Sequence, residues 1–216
     1  MDIAQVLSSN ILRKWLKPGY LDIKKLEKLR KNFQIQNPFS NLELNSFIKE
    51  EKAVLLLKEL GKEKFSQKES DLFKFKQTND FVSSDSNVLR EFRYFLMSKE
   101  FTSFMLYITN EILTGKVDVN GSLYENTDYL LPHDDRLESR KIAFIYYLSS
   151  LSKKEGGALL LFSSKNGEPI KAVKAIEPTA NTFAFFKVSP ISFHQVDEVL
   201  TKKQRITING WFHGNK

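Results

Sequence analysis

The sequence predicts an α+β protein with a mainly β core: a double-stranded β-helix, or jelly roll, braced by N-terminal helices. Residues 1–115 carry apolar side chains mostly at helical spacing, which predicts a helical supporting part. Residues 116–214 instead contain about eight short β-rich runs separated by turn residues, as expected for a small barrel made of two sheets. Because the chain has no internal repeat and no low-complexity linker, we expect residues 1–216 to form a single domain.

Proline, glycine and asparagine divide the helical part. Lys17-Pro18-Gly19 separates an N-terminal amphipathic helix from a second helix, and Asn37-Pro38-Phe39 is the next break. Asn45 or Ser46 could cap a third helix, which Gly61 would end. The expected elements are helices over residues 1–16, 21–33, 45–60, 87–98 and 100–113, and a short strand over residues 72–75.

Short runs rich in β-branched and aromatic residues dominate the second part. Gly156-Gly157, Asn166-Gly167 and Pro178 are turn signals between several of them. The expected strands cover residues 117–124, 129–135, 141–148, 158–162, 172–176, 182–187, 192–196 and 205–212.

Composition and charge restrict the class of protein. The chain has no Cys, which excludes a disulfide scaffold, a Cys-based zinc site and a thiol nucleophile. We expect no membrane span and no signal peptide, since no long apolar run and no basic region followed by an apolar core is present. A cytoplasmic protein is therefore expected. The net charge of +7 favours acidic partners such as ribosomal RNA surroundings, although dispersed lysines on a soluble surface explain it equally well.

The most informative pattern is His133-Asp134-Asp135, followed by His194 and Arg205. Two imidazoles and one carboxylate form the three-ligand face that holds non-haem Fe(II) and leaves coordination positions open. Because residues i and i+2 of a strand share a face, His133 and Asp135 could reach one ion while Asp134 points away. Each histidine alone is also compatible with an ordinary core or surface position, and the combined pattern weakens that alternative.

The strand that begins at Arg205 alternates cleanly, with Arg205, Thr207, Asn209 and Trp211 on one face. Such a face needs a polar occupant if it lines a barrel interior. The Arg205 guanidinium can bind a carboxylate through two parallel hydrogen bonds, and the Thr207 hydroxyl could add a third. An edge strand with its polar face in water is the alternative. We expect His194 to lie on the neighbouring antiparallel strand, joined by the loop 197–203.

Two tyrosines could help to bind the same carboxylate. We expect Tyr124 and Tyr147 on the strands that flank the His133 strand, where each could offer its phenol; core packing is the alternative for either. Tyr146 alternates with Tyr147, so only one of the two can face inward. His213 follows the barrel strands, and we expect it to be structural.

Six stretches make the chain similar to the 2-oxoglutarate- and Fe(II)-dependent oxygenases. The resemblance is to the ribosomal prolyl hydroxylases in particular, which modify a proline of small-subunit ribosomal protein twelve at the decoding centre. Eukaryotic members carry a second, non-catalytic barrel, so the chain resembles their catalytic half. The matching stretches are Asp71-Leu-Phe-Lys-Phe-Lys-Gln77, Tyr129-Leu-Leu-Pro-His-Asp-Asp135, Arg140-Lys-Ile-Ala-Phe-Ile-Tyr-Tyr-Leu148, Gly156-Gly157, Val188-Ser-Pro-Ile-Ser-Phe-His-Gln-Val196 and Gly210-Trp-Phe-His-Gly214.

The resemblance implies cofactors, a reaction and site residues. The cofactors are Fe(II), 2-oxoglutarate as co-substrate and O2, with ascorbate as a further candidate. The reaction is hydroxylation, because related halogenases lack the carboxylate that Asp135 supplies. The implied Fe(II) ligands are His133, Asp135 and His194; Arg205, helped by Tyr147, would bind the distal carboxylate of 2-oxoglutarate in a pocket lined by Tyr124 and Trp211.

The leading hypothesis is a prolyl hydroxylase whose protein substrate is small-subunit ribosomal protein twelve, with ribosome contact through its basic surface. Hydroxylation of another translation component or of an unrelated peptide is the enzymatic alternative. A catalytically silent ribosome-binding module is the non-enzymatic one. The intact set of His133, Asp135, His194 and Arg205 argues against a silent module, which would need none of them.

Overall fold

The computed structural model describes residues 2–137 and 139–215. Short 3-10 helices lie at Pro18–Leu21, Phe81–Ser83 and Lys153–Glu155. No helix among the described residues is both long enough and apolar enough to cross a membrane. The α-helices are α1 (Ile3–Leu7), α2 (Asn10–Trp15), α3 (Ile23–Ile35), α4 (Glu50–Leu60), α5 (Asn87–Met97) and α6 (Lys99–Thr109).

The strands of the described residues form one antiparallel sheet that curls into a double-stranded β-helix. Their order is β1-β9-β6-β11-β4-β3-β5-β10-β7-β8, with β2 paired to β3. The predicted fold class is therefore confirmed. The strands are β1 (Asn41–Leu44), β2 (Ser66–Ser70), β3 (Phe73–Gln77), β4 (Val117–Tyr124), β5 (Tyr129–His133), β6 (Arg140–Tyr147), β7 (Leu159–Lys165), β8 (Glu168–Ile176), β9 (Thr182–Lys187), β10 (His194–Val196) and β11 (Arg205–His213).

The helices cover one outer face of the barrel through aromatic packing. On β9, Phe183 and Phe185 point to the helices, whereas Ala184 and Phe186 belong to a second cluster inside the barrel. The Phe183 ring lies 4.8 Å from that of Phe47, which precedes α4. Burying a phenylalanine side chain contributes roughly 1.5–3 kcal/mol. Because both faces of β9 are buried, the helices hold this side of the barrel rigidly behind the cavity.

The N-terminal part differs from the sequence expectation in two respects. The single helix expected over residues 1–16 is two helices, because the Ser9 side chain accepts a hydrogen bond from the Leu12 amide and starts α2 afresh. The strands β1 and β2 were not expected and extend the barrel sheet into the mostly helical part, whereas the short strand expected over residues 72–75 is confirmed as β3.

The predicted start of the third helix is also wrong. Ser46 has a φ of 49°, and the amides of Phe47 and Ile48 donate to the main-chain and side-chain oxygens of Asn181. These long-range bonds hold residues 46–48 out of the helix, so α4 begins only at Glu50. The end of the helix at Gly61 is confirmed.

The strands that carry His194, Tyr124 and Tyr147 have other neighbours than the sequence led us to expect. β10, which carries His194, pairs with β5 and β7, whereas β11, which carries Arg205, pairs with β4 and β6. The loop between them is a crossover, because the Val199 carbonyl accepts from the Thr127 amide and its amide donates to Asp128. Tyr124 on β4 and Tyr147 on β6 consequently flank β11 and not the His133 strand.

Candidate active site

Two histidines and one aspartate meet where β5 and β10 pair. His133 ends β5 and lies directly opposite His194, the first residue of β10. One ligand atom from each of His133, Asp135 and His194 lies within 4.8 Å of the others. The Asp135 carboxylate oxygens are 3.6 Å from His133 Nε2 and 3.3 Å from His194 Nε2. The three side chains are therefore close enough to coordinate one ion.

Asp135 reaches this cluster by a turn and not by strand alternation. β5 ends at His133, and Asp135 has a φ of 61°, in the left-handed region that non-glycine residues seldom adopt. Aspartate is one of the residues that tolerate it. The expectation that the strand would continue to residue 135 is therefore wrong. Asp134 does point away, and its carboxylate accepts a hydrogen bond from Arg136 Nε at 2.6 Å.

The histidine ring orientations suit a metal ligand set. His133 Nδ1 lies 2.9 Å from the Leu131 carbonyl, and His194 Nδ1 lies 2.8 Å from the Ser192 carbonyl. Because a carbonyl only accepts, each Nδ1 carries a hydrogen, which leaves each Nε2, on the side of Asp135, as the ring atom available to a metal. Burial, reinforced by the nearby His194, lowers the pKa of His133 to about 4, so this imidazole is neutral at pH 7. Two imidazoles and one carboxylate fit Fe(II).

Trp211 and Arg140 support the aspartate. The Trp211 Nε1–H donates to Asp135 Oδ2 at 2.9 Å, and the Arg140 guanidinium carbon lies 3.5 Å from the centre of the Trp211 ring. Burial would raise the pKa of Asp135, but His194, His133 and the Trp211 hydrogen bond together hold it below its usual value. Trp211 was expected to line the co-substrate pocket; it lines the cavity described next, and it also binds a candidate metal ligand.

A cavity of about 100 Å³ lies inside the barrel, and His133, Asp135 and His194 lie on its wall. Arg205, Thr207, Asn209 and Trp211 all line it, whereas Ile208 packs in the core beneath the helices. The predicted alternation of this strand is therefore confirmed. The Thr207 hydroxyl is already engaged, because it donates to Asn209 Oδ1 at 3.0 Å.

The far end of the cavity holds an incompletely satisfied arginine. Arg205 is 1% exposed; its Nε donates to the Gly157 carbonyl at 2.7 Å, and its Nη2 is buried without a partner among the described residues. The rings of Tyr124 and Tyr147 are centred 5.0 and 5.2 Å from its guanidinium carbon. A buried cation needs a counter-charge, so this end of the cavity is suited to a carboxylate.

Tyr147 offers a second free donor beside Arg205. Its hydroxyl is buried and finds no hydrogen-bond partner among the described residues. Burial raises the pKa of the Tyr147 hydroxyl, with Arg205 opposing the rise, so the phenol keeps its proton. Tyr146 faces the other way and donates to Asn181 at 3.0 Å. The expectation that only one of the pair faces inward is confirmed.

Gly157 is a residue beside Arg205 to which the sequence analysis assigned no role in the site. Its φ is 74°, and a Cβ added to it would lie 3.1 Å from Arg205 Cδ. Arg140 was likewise missed, since its contacts with Trp211 form only when β6 and β11 pair. His213 is not among the residues that line the cavity. Its ring contacts Ser139 and Asp118.

Comparison with known proteins agrees with this arrangement. Residues 119–213, which contain His133, Asp135, His194 and Arg205, match the 2OG-Fe(II) oxygenase superfamily. The chain is 43% identical over 162 residues to prolyl 3-hydroxylase OGFOD1 of Xenopus laevis, covering 74% of this chain and 32% of that protein. It is 35% identical over 217 residues to prolyl 3-hydroxylase sudestada1 of Drosophila melanogaster, covering 94% of this chain and 40% of that protein.

The chain thus spans about a third of the length of the relatives it matches. Among solved structures, a Pseudomonas putida prolyl-4-hydroxylase superposes with a TM-score of 0.68 at 16% identity, over 87% of this chain and all of that one, which shows a shared fold. The sequence match, the fold and the three-ligand cluster agree. The chain belongs to the 2OG-Fe(II) oxygenase superfamily, whose cofactors are Fe(II) and 2-oxoglutarate.

Proposed function

We propose that this chain is a 2-oxoglutarate- and Fe(II)-dependent dioxygenase that hydroxylates a prolyl residue of a protein. One observation carries the proposal: a single cavity has a His-Asp-His cluster on its wall and a buried arginine with a free donor at its far end. A small keto-acid co-substrate needs a metal ligand set and a carboxylate site within the same cavity.

In this proposal His133, Asp135 and His194 hold Fe(II), which the donor set fits. When bound, Fe(II) and 2-oxoglutarate supply an oxidant made from O2, and one oxygen atom goes to the substrate while succinate and CO2 leave. Trp211 fixes the carboxylate of Asp135 through its N–H, and the Ser192 carbonyl fixes the tautomer of His194. These contacts set the ligand directions before the metal arrives.

Arg205 and Tyr147 would receive the distal carboxylate of 2-oxoglutarate. The bond from Arg205 Nε to Gly157 leaves the outer guanidinium nitrogens for the ligand. The buried Tyr147 hydroxyl adds a donor, and Tyr124 packs over the guanidinium. Leu159 and Phe186 contribute apolar wall to the same cavity, which keeps bulk water from the ligand.

The choice of a prolyl residue rests on the relatives. Proteins 35–43% identical to this chain are named prolyl 3-hydroxylases. We further propose that the substrate is small-subunit ribosomal protein twelve, on the strength of the motifs that resemble the ribosomal prolyl hydroxylases. The reaction would then take place in the cytoplasm. The net charge of +7 suits an encounter with a ribosomal particle.

The substrate is tested by mass spectrometry. The iron-supplied enzyme is incubated with 2-oxoglutarate and either ribosomal particles or a peptide spanning the candidate proline. We expect one added oxygen on that proline, and none with the His194→Ala variant. Oxygen on a different translation protein would replace the proposed substrate. Peptide and particles left unmodified by an enzyme that still forms succinate would contradict the prolyl assignment.

A further inference from the structure

Three amide side chains form a connected row beside the cavity, and two of them line it. They are Gln77 on β3, Asn120 on β4 and Asn209 on β11. Asn120 Oδ1 accepts one hydrogen bond from Gln77 Nε2 at 3.0 Å and another from Asn209 Nδ2 at 2.9 Å. The Thr207 hydroxyl donates to the carbonyl oxygen of Asn209. Three strands that are distant in sequence are therefore tied together by side chains on one face.

The row leaves one amide NH2 group and one amide oxygen without a partner among the described residues. The Asn120 Nδ2 group and the Gln77 Oε1 atom make no hydrogen bond to any described residue, whereas the other polar atoms of the row are engaged. Gln77, Asn120 and Asn209 are half-buried, while Thr207 is fully buried. The free groups thus lie at the outer end of a network whose inner end is fixed.

The position of the row connects it to the proposed chemistry. Gln77 and Asn209 line the same cavity as His133 and Asp135. Asn209 lies two residues before Trp211 on the same face of β11, and Trp211 binds Asp135. A polypeptide held by the free groups would therefore lie beside the metal ligands, with one side chain able to enter the cavity.

We propose that this row binds the main chain of the substrate polypeptide next to the target residue. The inference rests on the proposed function. In an extended chain, the C=O and N–H of one residue point to the same side. A proline has no N–H, so the nearest N–H on the side of its carbonyl belongs to the second residue after it. Asn120 Nδ2 donates to the carbonyl of the target proline, and Gln77 Oε1 accepts from that N–H.

In this arrangement the row contacts the main chain of the substrate and not the side chains next to the target residue. A neutral hydrogen bond of this kind has a net effect equivalent to roughly a two- to twelvefold change in affinity. Fixed amides also cost little to order, because Asn209 and Gln77 already hold Asn120 in place. The row therefore suits an extended chain of varied sequence around the target residue.

The test uses a synthetic peptide spanning the candidate proline and the same peptide N-methylated at the second residue after it. Gln77→Ala removes the free acceptor together with its hydrogen bond to Asn120, and the isosteric Asn120→Asp removes the free NH2 group. Each should raise the peptide KM at least roughly two- to twelvefold, more than it lowers kcat. The dissociation constant of the peptide from Mn(II)-loaded protein should rise in parallel. Gln67→Ala on β2 is the matched control: Gln67 pairs with Lys76, so its side chain lies on the other face, and its peptide KM should be that of the wild type.

The modified peptide locates the contact. N-methylation should weaken binding to the wild type and have little additional effect on Gln77→Ala, because the acceptor is already gone. Unchanged peptide KM in both variants, or an equal loss on N-methylation in the wild type and in Gln77→Ala, would overturn the inference alone. A wild-type enzyme that forms succinate yet modifies neither the peptide nor ribosomal particles would overturn the proposed substrate, and the inference with it.

Discussion

The indole nitrogen of Trp211 lies 2.9 Å from a carboxylate oxygen of Asp135 and donates its hydrogen to it. The Arg140 guanidinium contacts both residues: it stacks on the indole ring of Trp211 and lies 3.7 Å from the second carboxylate oxygen of Asp135. Asp135 sits on a left-handed turn and not in a strand. The Trp211 hydrogen bond therefore helps to fix the direction of the Asp135 carboxylate.

Replacing Trp211 should weaken metal binding. Trp211→Phe keeps most of the ring that stacks on Arg140 and removes the N–H that orients Asp135. Loss of such a supporting hydrogen bond typically lowers metal affinity about 10- to 100-fold. Titration of the purified apoprotein with Fe(II) or Co(II) measures this. Arg136→Ala is the control, because Arg136 pairs with Asp134 and not with Asp135; equal losses in the two variants would contradict the role of Trp211.

The two adjacent tyrosines of β6 should respond to mutation in opposite ways. Tyr147→Phe removes a free donor that would bind a charged carboxylate, so the dissociation constant for 2-oxoglutarate should rise roughly 10- to 150-fold with little loss of stability. Tyr146→Phe removes a buried hydrogen bond to Asn181, and should lower the free energy of unfolding by about 1 kcal/mol without affecting 2-oxoglutarate. Calorimetric binding of 2-oxoglutarate and thermal unfolding of both variants separate the two effects. Weaker binding by Tyr146→Phe together with lower stability of Tyr147→Phe would contradict the assignment of Tyr147 to the cavity side of β6.

Arg205→Ala should chiefly raise the requirement for 2-oxoglutarate. Removing one member of a buried ion pair costs about 3–5 kcal/mol, which corresponds to roughly 10²–10³ in affinity. Metal affinity should stay near that of the wild type, because Arg205 is not in the ligand cluster. If the variant lost metal and kept its affinity for 2-oxoglutarate, the carboxylate role would be wrong.

Much of the site follows from residue types in the sequence, because an Fe(II) face requires a restricted set of donors. The pairing of His133 with Asp135 was anticipated for the wrong geometric reason: the spacing suggested an extended strand, whereas the chain turns at Asp135. The alternation of the strand from Arg205 was anticipated correctly, since a polar face inside a barrel leaves a clear period of two.

Contacts between distant elements could not be predicted in the same way. The loop after Val196 looked like a hairpin, and only its bonds to Thr127 and Asp128 make it a crossover. The helix expected from Asn45 starts late because Asn181, far along the chain, holds Phe47 and Ile48. Such tertiary hydrogen bonds override local preference and leave no periodic signal in the sequence.

Two glycines with similar backbone angles should tolerate alanine differently. Gly157 and Gly167 have φ values of 74° and 79°, but only Gly157 is crowded, with Arg205 Cδ 3.1 Å from an added Cβ. Both substitutions strain the backbone. Gly157→Ala should in addition displace the Arg205 side chain and raise the dissociation constant for 2-oxoglutarate several-fold, whereas Gly167→Ala should leave it unchanged. Similar binding by both variants would argue that the Gly157 turn does not position Arg205.

The measurement that tests the central claim most directly is succinate formation from 2-oxoglutarate by the purified, iron-supplied protein. His133→Ala and Asp135→Ala each remove one of the three proposed ligands, so both should abolish turnover while circular dichroism remains that of the folded protein. Chelation of the iron should stop the wild type in the same way, and fresh Fe(II) should restore it. Wild-type turnover in either variant, or no succinate from the iron-loaded wild type, would contradict the account.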